Sequence, residues 1–416
     1  MPRPATIEAA AFALLGAVLL IRFPVRFALT QPYLMTLEVY RIVAARILSG
    51  GAAHLYDPTT SDAALFKYAP CWALAWAPLG RMSHHAGAVV WTGLSVVWLL
   101  AALLLCAGLC RRHGIRHHPL TAVLTVLLLV RPLTAELLNG QVNVLWGLLI
   151  VGFLMGEAAR RPWAAGLSLA LAISLKLPAL LFLLYLSVRR RWASAGRVAI
   201  AFAGINLAAA WWLLPARPLG LFASWLRVLA SSGPARAFEI GSQSLLALMG
   251  RLLRADGYGF NLMTLSDGAV TVVTAVVQVA LFAAVFLPHA RRLPDPVRLV
   301  LDGALLAAFM VLFSPTCWVA TYSALVFPVF TALALFNSQP RAIRRPSVAM
   351  GALAVLLFSA LTHAKLWRAL GVQTIKGETY VFEVLMILPL LGLSLAWCLW
   401  HHRRLLAVHP AAVGGR

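Results

Sequence analysis

The sequence predicts an all-α integral membrane protein, a polytopic helical bundle with about 10 to 12 transmembrane segments. The first observation is composition: the 416 residues are 62% hydrophobic and 12% charged, whereas a soluble protein carries about a quarter charged residues. The second is that apolar runs approaching the ~20 residues of a spanning helix recur along the whole chain. The third is that basic residues cluster in short loops between these runs. Residues 1–416 are therefore predicted to form a single transmembrane domain.

The segments follow from the apolar runs in chain order, with boundaries good to a few residues. They are placed at 7–28, 86–110, 119–134, 142–158, 163–175, 177–188, 196–214, 267–288, 298–314, 317–336, 346–363 and 380–400.

The charge distribution predicts the orientation of the chain. The net charge is +22, from 35 Lys and Arg against 13 Asp and Glu. With a cytoplasmic N-terminus, every tight basic loop of the alternating scheme falls on the cytoplasmic side, as expected for inner-membrane proteins of bacteria. Both termini are therefore predicted to be cytoplasmic. Nucleic acid is not an expected partner, because no basic stripe interleaves with aromatic residues on a soluble face.

Four of the segments are too short to cross a bilayer alone. The segments 119–134 and 142–158 meet at Asn139-Gly140-Gln141-Val142-Asn143, and the segments 163–175 and 177–188 meet at Lys176-Leu177-Pro178. Irregular backbone at membrane depth persists only where it is buried in protein or lines a wet cavity. We therefore expect a cavity that opens to the outside.

Two long stretches fall on the predicted outer side, at residues 22–85 and 215–266. Both are too apolar to be free loops, and their tryptophans suggest amphipathic helices at the interface, with the indoles at headgroup depth. Helices of this kind could border a groove for a lipid substrate. The tryptophans concerned are Trp72, Trp76, Trp211, Trp212 and Trp225.

Few polar residues accompany the apolar runs, so each one is a candidate for the site. Glu38 is either a helix N-terminal charge paired with Arg41 or Arg46, or a functional carboxylate. Lys67 lies among aromatic residues, which fits snorkelling or a phosphate contact. Lys176 lies between two short apolar segments and needs an anionic partner, either a lipid phosphate or a structural carboxylate.

The remaining candidates are amides, hydroxyls and one arginine. An amide cluster, Asn139, Gln141 and Asn143, fits either interhelical hydrogen bonding or substrate binding. Gln243 and Ser244, followed by Arg251, form a similar group. No zinc spacing, nucleotide-binding loop or DxD pair occurs, so no metal or cofactor is predicted.

These residues together resemble a known family. The chain resembles glycosyltransferase family 87, the polyprenol-phosphate-sugar-dependent transferases with the GT-C membrane fold, over about residues 30–330. The matching stretches are, in order, Val39-Tyr40, Ala44-Ala45-Arg46-Ile47-Leu48-Ser49-Gly50, Leu55-Tyr56-Asp57, Lys67-Tyr68-Ala69-Pro70, Pro78-Leu79, Gly140-Gln141-Val142-Asn143, Leu175-Lys176-Leu177-Pro178, Gln243-Ser244-Leu245 with Arg251, and Ser314-Pro315 with Trp318.

The resemblance implies an inverting membrane glycosyltransferase. The donor would be a polyprenyl-phosphate sugar, typically mannose, and a lipid or glycan would accept the sugar on the extracytoplasmic face. Inversion needs one base, and the departing phosphate needs cations or amides. The expected base is Glu38. The side chains expected to bind the phosphate of the donor are Lys67, Lys176 and Arg251. Hydrogen bonds to sugar or phosphate are assigned to Tyr40, Asn139, Gln141, Asn143, Gln243, Ser244 and Trp318.

The sequence departs from the family pattern at two places. Thr36 stands where the family usually has an aspartate, taken as the base, and Ala320 and Thr321 stand where it tends to have a histidine pair. Glu38 is the nearest carboxylate to Thr36, but in a regular helix it would point about 200° away from position 36. A catalytically diverged lipid-binding or transport protein on the same fold is the alternative interpretation.

Overall fold

The computed structural model describes residues 4–58, 65–239, 241–255, 262–287, 295–338 and 387–408. Within these ranges every regular element is helical, which confirms the predicted all-α class. The α-helices are α1 (Pro4–Leu20), α2 (Arg26–Thr30), α3 (Met35–Leu48), α4 (Pro70–Ala75), α5 (His84–Arg112), α6 (Thr121–Leu128), α7 (Val130–Asn139), α8 (Asn143–Ala158), α9 (Pro162–Leu175), α10 (Leu180–Val188), α11 (Trp192–Leu213), α12 (Pro218–Arg236), α13 (Leu245–Leu253), α14 (Asp267–Phe286), α15 (Asp295–Leu312), α16 (Val326–Ser338) and α17 (Ile387–Val408).

Short 3₁₀ and π segments connect some of these helices. A π-helical turn over Ile21–Val25 contains Pro24 and joins α1 to α2. Because proline has no N–H to donate, the wider turn lets one continuous helical rod pass it. The 3₁₀ segments are Ala52–His54, Ala77–Arg81, Leu177–Ala179 and Val319–Leu325.

Among the residues that the structure describes, four helical rods are long and apolar enough to cross a membrane, namely Ala5–Thr30, His84–Arg112, Trp192–Leu213 and Asp267–Phe286. The pair α6 and α7 passes the same test together but is bent by 68°. Shorter apolar helices include Asn143–Ala158, Pro162–Leu175 and Leu177–Val188, at three of the predicted short segments. Each predicted segment coincides with a helix or a pair of helices where the structure describes it; the segment 346–363 and the first residues of the segment 380–400, up to 386, lie outside the described residues.

The helices form two compact units. The first unit consists of Ala9–Ala102 and Thr134–Ala235, and the second of the described residues of Met1–Glu8, Leu103–Leu133 and Arg236–Arg416. The prediction of a single transmembrane domain remains a prediction.

In the first unit, α9 packs against α8 and α11. The contact with α8 is close because α8 presents Gly152 and Gly156, one turn apart. A Cβ at Gly152 would lie 2.7 Å from Ser168 Oγ, and one at Gly156 would lie 2.8 Å from the backbone nitrogen of Ala165. Small residues spaced four apart allow two helix backbones to approach in this way.

In the second unit, α15 is the central helix and packs against α16 and α17. Asp302 of α15 is fully buried and forms an ion pair with Arg403 of α17 at 3.0 Å. Arg403 also donates a 2.7 Å hydrogen bond to the carbonyl of Val285. A charge buried among helices is tolerated when it is paired in this manner.

The five tryptophans differ in exposure, and their depth in a membrane remains a prediction. Trp211 and Trp212 are exposed on α11. Trp72, Trp76 and Trp225 are buried inside the first unit, so these three indoles do not lie exposed to lipid headgroups. The physical reason is that two of these indoles have backbone acceptors inside the protein: Trp72 donates to the carbonyl of Leu171 at 3.2 Å, and Trp225 donates to that of Lys67 at 3.1 Å.

Candidate active site

The turn between α7 and α8 is the first structural feature of the candidate site. Gly140 has a φ of +67°, the left-handed conformation that suits glycine. A Cβ there would lie 3.1 Å from Leu37 Cβ, so the turn packs directly against α3. The backbone N–H of Gln141 donates to the carbonyl of Glu136 at 3.0 Å. The turn thus reverses the chain tightly and places the end of α7 beside the start of α8.

A carboxylate lies inside this turn. Glu136 is 1% exposed, and its Oε1 accepts a 3.0 Å hydrogen bond from the backbone N–H of Val144, in the first turn of α8. Its Oε2 accepts a 2.6 Å hydrogen bond from Asn143 Nδ2. The first N–H groups of a helix have no partner within the helix and favour a negative charge. We call Glu136, Asn143 and Lys176 the polar relay, because Lys176 Nζ in turn donates to Asn143 Oδ1.

Lys176 lies at the break between α9 and α10, where its backbone is extended. Its side chain is partly exposed, whereas Asn143 is fully buried. The ammonium nitrogen also lies 5.6 Å from the ring centroid of Trp146, within the range of a cation–π contact. The predicted structural partner of Lys176, a carboxylate, is therefore present, but a neutral amide connects the two groups in the relay.

The segment that carries Lys67 is attached to the end of α9. The N–H of Ala69 donates to the carbonyl of Ser174 at 3.0 Å, and the indole of Trp72 donates to another carbonyl of α9. The last carbonyls of a helix lack partners within it, so Ala69 satisfies one of them at Ser174, while Trp72 bonds to Leu171 just before the last turn. The Ala69–Ser174 hydrogen bond joins two segments of the chain. Ala69 is two residues after Lys67, and Ser174 is two residues before Lys176. The two predicted phosphate lysines therefore belong to one local structure.

Two tyrosines complete this region. The hydroxyls of Tyr40 and Tyr68 lie 2.9 Å apart. Burial raises the pKa of both phenols, and the nearby charge of Glu136 raises each pKa further, so both remain neutral donors at physiological pH. Tyr40, predicted to hydrogen-bond sugar or phosphate, thus lies near the relay.

Thr36 and Glu38 lie in different environments although both belong to α3. Thr36 Oγ1 accepts a 2.9 Å hydrogen bond from Gln141 Nε2, so the position of the family aspartate is adjacent to the α7–α8 turn. Glu38 Oε2 accepts from Arg41 and from His84 Nδ1, both at 2.6 Å. Because α3 is regular from Met35, Glu38 does not take the place of position 36.

The partners of Glu38 affect its basicity. Burial alone would raise its pKa, but the hydrogen bonds from His84 and Arg41, together with the positive charge of Arg41, lower the pKa overall. His84 Nε2 accepts the backbone N–H of Leu34 at 3.0 Å, so its Nδ1 carries the hydrogen that Glu38 accepts. The pairing with Arg41 that the sequence suggested is confirmed. The catalytic role of Glu38 remains a prediction.

Asn139 faces away from the relay, because its Nδ2 donates to the carbonyl of Ala135 one turn earlier in an exposed position. Its proposed contact with sugar or phosphate remains a prediction.

The other predicted site residues belong to the second unit. Ser244 caps α13 by accepting the N–H of Ala247 at 3.0 Å, and its hydroxyl reaches the carbonyl of Pro315 at 3.3 Å. The N–H of Gln243 donates to the carbonyl of Cys317. The Gln-Ser-Leu and Ser-Pro stretches, about 70 residues apart in sequence, are thus in direct contact.

Trp318 and Arg251 are also fixed by packing in this unit. A Cβ at Gly241 would lie 2.6 Å from the Trp318 ring, so only glycine allows this contact. The backbone N–H of Trp318 donates to Thr321 Oγ1 at 3.1 Å, where the family tends to have a histidine. This hydrogen bond to Thr321 stabilises the start of the 3₁₀ segment. Arg251, on α13, is buried.

Glu136 is the residue that sequence reasoning missed. It was one of nine acids on the predicted outer side, and nothing nominated it over the others. Two signals could have done so. It is an acid at the end of an apolar helix, where a charge is costly. It also precedes, by seven residues, an asparagine that opens the next helix across a Gly-containing turn.

Comparison with known proteins assigns the class. The family model of glycosyltransferase family 87 matches residues 66–315, more than half of the chain, so the chain belongs to this family. The resemblance found in the sequence is thereby confirmed, and the protein is a membrane glycosyltransferase.

Individual relatives come from mycobacteria. The chain is 24% identical over 389 residues to the polyprenol-phosphate-mannose-dependent alpha-(1-2)-phosphatidylinositol mannoside mannosyltransferase of Mycobacterium tuberculosis, covering 87% of this chain and 85% of that protein. It is 29% identical over 250 residues to the corresponding pentamannoside mannosyltransferase of Mycolicibacterium smegmatis, covering 58% and 57%. A crystal structure of ArnT from Cupriavidus metallidurans bound to undecaprenyl phosphate aligns with 98% of this chain and 77% of that chain, at 15% identity and a TM-score of 0.43.

Proposed function

We propose that this glycosyltransferase transfers mannose from a polyprenyl-phosphate donor to a lipid or glycan acceptor on the extracytoplasmic face, with inversion at the anomeric carbon. The observation that carries the proposal is Lys176, a partly exposed residue at a break between two short apolar helices, whose ammonium donates a hydrogen bond to Asn143. The mycobacterial relatives are mannosyltransferases dependent on polyprenol-phosphate-mannose. They support the choice of donor.

The transfer reaction requires cations beside the leaving phosphate. An acceptor oxygen attacks the anomeric carbon from the side opposite the phosphate, the new glycosidic bond forms as the sugar–phosphate bond breaks, and polyprenyl phosphate leaves. Negative charge grows on the leaving phosphate in the transition state, so cations fixed beside it are most effective. Lys176 and Lys67 supply such cations from one local structure, and Arg251 is the third proposed phosphate ligand.

The proton of the acceptor hydroxyl requires a base, and Glu38 is the proposed one. Its lowered pKa keeps the carboxylate ionised and able to accept a proton at neutral pH, although a lowered pKa also makes it a weaker base. The hydrogen bonds to Arg41 and His84 hold the carboxylate in one orientation.

The transfer reaction is tested directly with membranes that contain the protein. Membranes from an expression host are incubated with radiolabelled polyprenyl-phosphate mannose and a lipid extract as acceptor. We expect label to move into the lipid or glycan fraction, and none to move in membranes without the protein. Binding of a polyprenyl phosphate without transfer would instead support the alternative of a diverged lipid-binding protein.

The side of the membrane is tested by two single cysteines in the first unit. Ser49 is exposed at the end of α3, on the predicted outer side, and Arg161 is exposed before α9, on the predicted cytoplasmic side. In intact cells, we expect Ser49→Cys to react with an impermeant thiol reagent and Arg161→Cys to be protected. The wild-type protein gives the background from its five free cysteines. Labelling in the opposite sense would place the site in the cytoplasm and overturn the proposal.

A further inference from the structure

Each of the two oxygens of Glu136 accepts a hydrogen bond from a neutral N–H donor. One faces the N-terminus of α8 and the other faces the side-chain amide of Asn143. A carboxylate that is ionised can only accept hydrogen bonds, so the NH₂ end of the Asn143 amide must point at it. The oxygen of the same amide must then point the other way, toward Lys176.

The orientation of Asn143 is therefore determined from both ends. An ammonium group can only donate, and it is matched to Asn143 Oδ1. An amide between a carboxylate and an ammonium has one favourable orientation, because a flip would place two donors, and two acceptors, against each other. Glu136 thus controls which atom of Asn143 is presented to Lys176.

Exposure changes along the relay. Glu136 and Asn143 are 1% and 0% exposed, whereas Lys176 is partly exposed. A ligand has no access to the carboxylate, whereas part of Lys176 is accessible. Glu136 is therefore unsuited to act as the base, and any effect it has on catalysis must pass through its neighbours.

We propose that Glu136 is a positioning residue, which acts through Asn143 to fix the Lys176 ammonium where the phosphate of the donor binds. This inference rests on the proposed function. A misplacement of about 1 Å in a group that acts on the transition state can cost about 10²-fold in rate. The turn at Gly140 brings Glu136 and Asn143 together. The break between α7 and α8 therefore helps to fix the position of the Lys176 ammonium.

The main test compares Glu136→Gln in two backgrounds. Glutamine keeps the size of the side chain but offers one acceptor oxygen instead of two, so it cannot satisfy both Val144 N–H and Asn143 Nδ2, and Asn143 loses its fixed orientation. With Lys176 intact, we expect kcat/KM for polyprenyl-phosphate mannose to fall by about 10²-fold. With Lys176→Ala already present, the same change should cost less than about threefold in the residual activity, because residues that act as a unit are not additive.

The matched control is Glu157→Gln, which changes a carboxylate of the same unit that pairs with Arg191 and Ser194. It should leave kcat/KM within about twofold. Asn143→Ala is the second variant, since it breaks the relay without touching the carboxylate, and it should reproduce the loss if Glu136→Gln does not fold. Folded protein is measured in each sample by size-exclusion chromatography in detergent, and rates are expressed per folded protein.

The outcomes separate the inference from the proposed function. If wild-type membranes transfer no label from the donor, the proposed function fails. If wild type is active and both Glu136→Gln and Asn143→Ala remain within about twofold of it, the positioning role is overturned. An equal loss from Glu136→Gln with and without Lys176 would also overturn it, because the carboxylate would then act on something other than the lysine.

Discussion

Glu38 and Glu136 are two carboxylates of the same unit in opposite settings. Glu38 lies at the start of α3, partly exposed, and its partners are the guanidinium of Arg41 and the ring of His84. Glu136 lies in the last turn of α7, fully buried, and its two partners in the relay are neutral N–H groups. The charge of Glu38 is neutralised directly by the guanidinium of Arg41, three residues further along the chain. The charge of Glu136 is compensated in part through an amide, which extends its influence to a partly exposed lysine.

The difference shows why nearness in sequence to a family position is a weak guide. Glu38 is two residues from Thr36, but on a regular helix it faces another set of neighbours. Thr36 instead contacts Gln141, in the same turn that holds Glu136. The polar groups beside the family position are therefore those of the turn.

The largest effect is expected for Glu38→Gln, which keeps the shape but removes the basicity. If Glu38 is the base, turnover should fall by about 10²–10⁴-fold while binding of polyprenyl phosphate is retained. Thr36→Asp, which restores the family residue beside Gln141, should raise the activity of this variant. Unchanged turnover in Glu38→Gln would remove Glu38 from catalysis and leave it the role of joining α3 to α5.

A loss of about 10²–10³-fold in kcat is expected for Lys176→Ala, because a preorganised donor to the developing phosphate charge is removed. Arg161→Ala is the control, since it removes an exposed cation on the opposite predicted side. The measurement is initial transfer rate per folded protein. A loss confined to the yield of folded protein would mean that Lys176 serves only as a structural partner within the relay.

The turn itself is tested by Gly140→Ala, with Gly114→Ala as the control. Both glycines have a positive φ, of +67° and +71°, so both changes carry the cost of a left-handed alanine, about 1–2 kcal/mol. Only at Gly140 would the new Cβ meet other groups, from α3 and the segment before it, since nothing lies within 4 Å at Gly114. We expect Gly140→Ala to lower the melting temperature in detergent more than Gly114→Ala does. Equal shifts would mean that the turn has room to move away from α3.

The smallest effect concerns acid stability. The pKa of Glu38 lies below its ordinary value of 4.5, so its ion pairs stabilise the fold above that pH and lose their contribution as the pH falls through the lowered pKa. The contribution of a partly exposed pair is about 1 kcal/mol or less. Glu38→Gln should therefore narrow the difference in melting temperature between pH 6 and pH 3.5. An unchanged difference would mean that other groups control the acid transition.

Sequence patterns predicted the elements of the fold better than the contacts of the site. Apolar runs located the helices, and Gly140 and Pro178 marked the two breaks where α8 and α10 begin. The pairing of Glu38 with Arg41 followed from spacing on one helix. The contact with His84 did not, because the two residues are 46 positions apart and meet only through the packing of α3 against the start of α5.

The role of Glu136 was hidden for the same reason. Its contacts depend on Gly140, whose left-handed conformation turns the chain back on itself. The sequence does not show which of the nine acids on the predicted outer side such a turn would bury. The burial of Trp72 and Trp225 was hidden for another reason. An indole at the end of an apolar run suits the interface, but Trp72 and Trp225 have internal carbonyl acceptors that no local pattern reveals.

The attachment of the Lys67 segment to α9 has a consequence for biosynthesis. Trp72 bonds to a carbonyl 99 residues further along the chain, and the carbonyl of Lys67 receives its bond from a tryptophan 158 residues further along. At a synthesis rate of about 5–20 residues per second, the segment waits roughly 5–20 seconds for α9 and longer for α12. During that interval its aromatic side chains lack their final neighbours, and the membrane interface is the nearest place that can shelter them. The local structure that contains Lys67 and Lys176 can therefore assemble only after α9 has been synthesised.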